Sequence, residues 1–355
     1  MNFLWLIIFL VIIFFILTRY YLKGEDLSFF DKPTGEFFDS GPPCDQHDAV
    51  VASLHVSNKA LKDANSKDRL AMMRANIDMI SVGVDLAATF TAVDVDGISA
   101  EWVVAPGVDT TRRALYIHGG GFIMGSPKSH RVITAKYSEI TNAAVLAIDY
   151  RLMPEHNRMA GIDDCRNAYQ WLLSNGVNGP EAGEASRLFV AGDSAGGNLT
   201  LSLLAWLRDN DIRSPDAAIA FSPVTDSTYC SPSLVSNLDT DPMLGMAFQK
   251  LAIVPKWMVL LYSWQQLKRN PSSPVVSPVY GDLSGLPPTL LQASAAEALY
   301  DDARRYVNRA QAAGSPVELH SWSRMVHVWQ FFYPRLPEAG HAWDEAQKFI
   351  NKAYE

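Results

Sequence analysis

"LFVAGDSAGGNLTLSLLAWL", residues 188–207, reads as a strand that turns straight into a helix. At the join stands Gly192-Asp193-Ser194-Ala195-Gly196, a G-x-S-x-G pentapeptide. So sharp a turn holds its central residue in strained backbone and lifts that side chain clear of the sheet. Gly192 and Gly196 remove the side chains that would collide there. The helix that follows aims its partially positive N-terminus at the same spot, where an oxyanion is favoured. Ser194 is therefore the candidate nucleophile, and the N–H of Ala195 a candidate oxyanion donor, with Asp193 in support. The plainer reading, a tight turn with an N-capping serine, leaves the added Gly197 and the strand before it unexplained.

A serine hydroxyl is a poor nucleophile near neutral pH, so it needs a base, and the base needs an orienting group. Behind an elbow of this kind the order along the chain is Ser, acid, His. His327 lies in "SRMVHVWQFF", the loop after the last strand "VELHSW" and before the C-terminal helix, and is the candidate base. His320 sits inside that strand. His118 precedes three glycines and is read as ordering their loop. His47, His55, His130, His156 and His341 fall in surface-type or cap segments. The acid should follow strand "TLLQAS", where "AAEALYDDARR" offers Glu297, Asp301 and Asp302. Glu297 comes first after the strand and is favoured. The two aspartates stand at a helix start, where they would serve as caps.

"ALYIHGGGFIMGS", residues 114–126, places Gly119, Gly120 and Gly121 directly behind an apolar run. Three glycines give up side chains so that the backbone itself can approach something closely. An oxyanion needs donors already aimed at it, so Gly119 and Gly120 are assigned as donors beside Ala195, with His118 and Gly121 supporting. A phosphate cradle would need G-x-G-x-x-G spacing or a P-loop lysine, and the stretch has neither.

Around these motifs short apolar runs alternate with helical stretches. The runs are "ALYI", "AAVLAID", "RLFVAGD", "AIAFSPV", "TLLQAS" and "VELHSW". The helices expected between them cover 129–141, 161–175, 197–209, 302–313 and 339–353. Such alternation implies an α/β fold with a mostly parallel sheet covered on both faces. Upstream, 45–81 is helical by pattern, and Asp96-Gly97 signals a hairpin. The Met- and Trp-rich segment 239–266 interrupts the alternation and is expected to pack over the sheet with the N-terminal helices. A hydrophobic content of 48% supports a large core, while a net charge of -8 without a basic run excludes nucleic acid as the main partner. Cys44, Cys165 and Cys230 lack disulfide-framework or zinc spacing and read as isolated buried thiols, with no metal site expected.

The N-terminus differs in kind. "FLWLIIFLVIIFFIL", residues 3–17, is uninterrupted apolar sequence. Counted over residues 1–22, it reaches the roughly 20 residues of a bilayer-spanning helix. No basic start precedes it and no small-residue cleavage site follows, so an uncleaved transmembrane anchor is expected rather than a signal peptide. Arg19, Lys23 and Lys32 lie beyond it, which by the positive-inside tendency turns the catalytic domain to the cytoplasm. The expected organisation is thus a single-pass membrane protein: anchor 1–22, linker 23–44, and catalytic domain 45–355 with cap segments near 45–87 and 239–266.

From about Phe90 to the C-terminus the chain resembles the bacterial hormone-sensitive-lipase-like esterases of the α/β-hydrolase superfamily. The resemblance rests on "YIHGGGFIMGSPKSH", "AIDYRLMPEH", "FVAGDSAGGNL", "SPVYGDLSGLPP" and "MVHVWQFF". It implies an α/β-hydrolase fold with a helical cap over an apolar acyl pocket, and carboxylic ester hydrolysis without metal or organic cofactor. It also implies Ser194, His327 and the Gly119/Gly120/Ala195 donors as the site. Many members carry aspartate where Glu297 stands; others carry glutamate. "EHNRMAG" lacks a proline usual before the next helix, and the apolar N-terminus lies outside the common pattern. The expected activity is that of a serine esterase on short- to medium-chain, lipophilic esters, acting alone or as a homodimer. A lactone hydrolase or deacetylase using the same site is the nearest alternative. A catalytically silent ligand-binding homologue is the alternative from another class.

Overall fold

The computed structural model of the chain describes residues 3–180 and 183–353. Among these residues nine strands form one sheet: β1 (Glu36–Phe38), β2 (Thr89–Val95), β3 (Ile98–Val104), β4 (Asp109–Ile117), β5 (Ala143–Ile148), β6 (Arg187–Asp193), β7 (Ala217–Phe221), β8 (Thr289–Ser294) and β9 (Val317–Trp322). Their spatial order is β1-β9-β8-β7-β6-β4-β5-β3-β2. β2 with β3 and β3 with β5 are antiparallel, and the remaining neighbours are parallel. The β2–β3 turn is Asp96-Gly97, both residues at positive φ (51° and 90°), as a two-residue hairpin requires.

The helices are α1 (Phe3–Ile16), α2 (Asp45–Asp63), α3 (Arg69–Asp78), α4 (Arg131–Thr141), α5 (Arg158–Ser174), α6 (Ala195–Asp209), α7 (Ser233–Ser236), α8 (Gly245–Ile253), α9 (Lys256–Leu267), α10 (Tyr300–Ala312) and α11 (Pro337–Lys352). Side chains alternate across a strand, and here both faces are buried. Ala114 and Tyr116 join a core with α4 and α11, while Leu115 and Ile117 join one with α5 and α6. That two-sided burial explains why the strands read as unbroken apolar runs. Each buried Leu, Ile or Phe on them contributes about 1.5–3 kcal/mol.

Three expectations need correction. The reading of residues 1–22 as a transmembrane anchor, with single-pass membrane localisation and a cytoplasmic catalytic domain, is overturned. No helix among the described residues is long and apolar enough to cross a membrane. α1 has 14 residues, about 21 Å at 1.5 Å per residue against a hydrocarbon core of about 30 Å. It gives way at Leu17–Tyr21 to a wider π-helical turn. Met1 and Asn2 of that reading lie outside the described residues. Second, the segment expected as a linker, 23–44, docks on the body. Leu27 is buried, Arg305 makes a bidentate pair with Asp31 (2.7 and 2.8 Å), and β1 runs parallel to β9. Third, Asp301 and Asp302 do not cap α10. The N-cap position is Leu299, and both carboxylates are turned into buried contacts described below.

The helical stretch expected over 45–81 divides into α2 and α3, the first ending at Asp63, where the chain turns extended at Ala64. The two regions expected to pack over the sheet do meet: Asn58 Nδ2 donates to Pro242 O (2.7 Å). Arg74 of α3 reaches the loop after β4, donating to Ile123 O (2.7 Å). The cysteines are free; Cys165 is buried and the other two are half-buried.

Candidate active site

Strand register brings the chemistry to the carboxyl ends of the parallel strands. Ile117 of β4 lies opposite Gly192 of β6, Asp193 opposite Phe221 of β7, and Ser294 of β8 opposite Trp322 of β9. The segments that leave these ends carry Gly119–Gly121, Ser194, Glu297 and His327. In open α/β sheets the carboxyl ends of parallel strands are where sites form.

Ser194 has φ 51° and ψ −113°, a backbone region costing a non-glycine residue roughly 1–3 kcal/mol. It is held there by its own N–H, which donates to Phe221 O (2.7 Å), and by its carbonyl, which accepts from Asn198 N (3.1 Å) and Val224 N (3.2 Å). A β-carbon on Gly196 would collide with the carbonyl oxygens of Ile117 and His118, so no larger residue fits behind the serine. Ala195 begins α6, and an N–H in that first turn has no partner within the helix.

The imidazole and one carboxylate are paired. His327 Nδ1 donates to Glu297 Oε2 at 2.5 Å, and the second oxygen, Oε1, accepts from Ser294 N (2.8 Å). Glu297 is fully buried and His327 is 3% exposed. Burial pulls the His327 pKa down, but the hydrogen bond and charge of Glu297, with Asp241 and Asp193 behind it, raise it above the ordinary value. Burial likewise pushes the Glu297 carboxyl up, against the opposing pull of His327. His327 Nε2 is buried and has no hydrogen-bond partner among the described residues, which leaves it open to a proton from outside the pair. The His327 loop is tied to the elbow region: Val328 N donates to Ser222 Oγ (3.3 Å), one residue beyond Phe221.

Asp301 and Asp302 are engaged elsewhere. Asp301 accepts from Ser233 N (2.9 Å) and pairs with Arg304 (2.7 Å). Asp302 accepts from Thr225 N (2.7 Å), Asp226 N (3.0 Å) and Ser231 Oγ. His320 meets Phe38 edge-to-face in the β1–β9 pair.

The glycine loop is built on Asp193. Tyr116 OH and Gly119 N both donate to Asp193 Oδ1 (2.7 and 3.0 Å), and His130 Nε2 lies 3.4 Å from Oδ2. Burial pushes the Asp193 carboxyl up, but His130 and Tyr116 outweigh it and hold it below its usual value. The N–H of Gly119 is thus spent on Asp193. Those of Gly120 and Gly121 find no acceptor among the described residues. His118 donates from Nδ1 to Gly119 O (2.7 Å), stacks on Tyr150 (4.3 Å) and accepts at its own carbonyl from Tyr150 OH (2.9 Å). Burial, with His130 adding to it, drives its pKa to about 3, so it is neutral and orders the loop. His130, expected in a surface-type segment, is fully buried, wedged between Asp193 and Ser129 Oγ. Sequence reasoning passed over it because its only local signal is "SPKSH" beside the glycines. Among the described residues no group of three or more His, Cys, Asp or Glu is arranged to hold a metal ion.

A family model described as alpha/beta hydrolase fold matches residues 114–331. The chain belongs to the α/β-hydrolase fold family. Within it this α/β-hydrolase is 36% identical over 291 residues to an acetyl-hydrolase of Streptomyces hygroscopicus, covering 80% of this chain and 89% of that one. It is 34% identical to the carboxylesterase/phospholipase LipF of Mycobacterium tuberculosis, covering 74% and 69% of the two chains. Among solved structures it is similar to an esterase from the bacterial hormone-sensitive lipase family. The TM-score is 0.76 at 33% identity, over 88% of this chain and all of that one. The resemblance read from the motifs is therefore met, and this α/β-hydrolase is a carboxylic ester hydrolase.

Proposed function

We propose that the chain hydrolyses short- to medium-chain carboxylic esters through an acyl-enzyme, with Ser194 as nucleophile, His327 as general base and Glu297 as the orienting acid. The observation that carries this reading is the buried Glu297–His327 pair at 2.5 Å, with Nε2 left open, beyond the carboxyl ends of the same parallel strands as a strained serine. In the forward half-reaction Ser194 Oγ attacks the carbonyl carbon while His327 Nε2 takes its proton. The tetrahedral intermediate collapses as the imidazolium returns that proton to the leaving alcohol. Water then repeats the sequence on the acyl-enzyme. Glu297 stays ionised, holds the Nδ1–H tautomer and stabilises the imidazolium.

The oxyanion donors in this reading are the N–H groups of Gly120, Gly121 and Ala195. Gly119 keeps its place as the anchor of the loop through Asp193, rather than as a donor to the substrate. Gly120 has φ +113°, and a β-carbon there would strike Met124 O. Gly120→Ala should lower kcat by about 10²–10³-fold, the usual loss for one displaced donor. Steady-state kinetics beside a circular dichroism spectrum checks this, and unchanged kcat would remove Gly120 from the hole.

The pH dependence follows from the base. His327 acts only when neutral, so activity falls as pH drops through its pKa. Because that pKa is raised from 6.5, the acid limb of kcat/KM should lie above the range of a free imidazole. A limb at or below that range would separate activity from the pair.

The substrate range is tested by turnover of p-nitrophenyl esters from acetate to palmitate, with lactones of several ring sizes in parallel. The optimum is expected at short to medium acyl length. No turnover of any ester would favour the silent ligand-binding reading. The acetyl-hydrolase relative favours one second reading, removal of acetyl groups by the same residues, marked by a sharp preference for acetate over butyrate.

A further inference from the structure

The segment that enters α8 holds the loop that carries Glu297. Asn237 Nδ2 donates to Ala295 O (2.8 Å) and to Glu297 O (3.0 Å). Thr240 Oγ1 donates to Ala296 O (2.8 Å), and Asp241 Oδ2 accepts from Ala298 N (2.9 Å). Four consecutive loop residues, 295–298, are thus each bonded to one five-residue stretch, 237–241. The other oxygen of Asp241, Oδ1, accepts from Met243 N (3.0 Å) and Leu244 N (2.8 Å), which lead into α8. One carboxylate, 3% exposed, therefore ties α8 to the acid loop.

We propose that Asn237–Asp241 is a clamp that sets the position of Glu297, and that Asp241 is the positioning residue through which this region acts on the Glu297–His327 pair. The inference rests on the reading of Glu297 as the triad acid. Two physical effects run through the clamp. The first is geometric: a loop shift of about 1 Å at a catalytic group can cost about 10²-fold in rate. The second is electrostatic. The charges that face His327 are Glu297 from the acid loop, Asp241 from the clamp and Asp193 from the elbow, and all three favour the protonated imidazole. Asp241 acts from a buried position, where solvent screens it little.

Asp241→Asn cannot serve both sets of donors, because one of its two terminal atoms becomes a donor itself. It also removes the charge. Asn237→Ala removes two loop bonds and no charge. The test uses the full chain, p-nitrophenyl butyrate as probe, and fluorophosphonate titration to count active sites. For Asp241→Asn, kcat per titrated site should fall by about 10- to 100-fold with KM within about twofold, and the acid limb of kcat/KM should move to lower pH. For Asn237→Ala, kcat should fall with the acid limb unmoved. A purely structural role would lower the number of titrated sites but leave kcat per site and the acid limb alone, and that result overturns the clamp. If Asp241→Asn does not fold, Asn237→Ala and Thr240→Ala decide: wild-type kcat in both overturns it. Glu297→Gln is run beside them. Full activity there would remove the triad reading itself, whereas a crippled Glu297→Gln beside a wild-type Asp241→Asn would sink the clamp alone.

Discussion

Ser194→Ala should lower turnover of p-nitrophenyl butyrate by about 10⁶-fold, the scale seen when a serine nucleophile is removed. Labelling by a fluorophosphonate should vanish with it. The fold should persist, because the backbone contacts that hold the elbow belong to the Ser194 N–H and carbonyl rather than to the hydroxyl. The alanine methyl group also fits where a serine side chain stands, although φ 51° remains strained for either residue. The measurement is intact-mass spectrometry after labelling, with a thermal melt on the same sample. Stoichiometric label on the variant, or turnover within a hundredfold of wild type, would place the nucleophile elsewhere.

Glu297→Gln should cut kcat by about 10⁴-fold, as loss of the orienting charge does in triad enzymes. The carboxylate now accepts from two directions, Ser294 N at Oε1 and His327 Nδ1 at Oε2. A glutamine offers one acceptor and one donor, so it can satisfy only one of them. If its oxygen keeps Ser294, its amide hydrogens face His327, and the imidazole answers by moving its proton to Nε2. That tautomer cannot accept the Ser194 proton. Asp301→Asn should retain turnover within about tenfold, its carboxylate being engaged with Ser233 N and Arg304. Its cost should appear in the melting temperature instead. Steady-state kinetics on both variants checks the order. The reverse order would transfer the acid's role to Asp301.

Much of the site could be read along the chain because its signals are local. The pentapeptide around Ser194 needs a strand immediately before it and a helix immediately after, and both are apolar patterns of a few residues. His327 was separable from the other histidines by its place after the last strand. The acid is less sharply marked: Glu297, Asp301 and Asp302 fall within six residues, and order along the chain only favours the first. Of the two glycines expected as donors, Gly119 has its N–H bonded to Asp193 Oδ1. Nothing in "HGGG" tells that the first N–H is taken by an aspartate 74 positions away. His130 and Asp241 were missed for the same reason, since each works through partners on other elements.

By itself the sequence determined a two-sided, mostly parallel sheet, because strands buried on both faces must be apolar at every position. It also determined the elbow, because a strand-to-helix reversal at a serine demands glycine on either side. Only the tertiary structure decided which carboxylate meets the imidazole, which glycine N–H groups stay unspent, and that residues 23–44 dock as an edge of the sheet. It also decided that the apolar N-terminal α-helix passes at Leu17 into a π-helical turn and is too short to span a bilayer. The physical reason is common to the first three. Hydropathy and periodicity report what one segment prefers, whereas a hydrogen bond between residues 297 and 327, or 241 and 298, depends on how separate segments come to rest against each other.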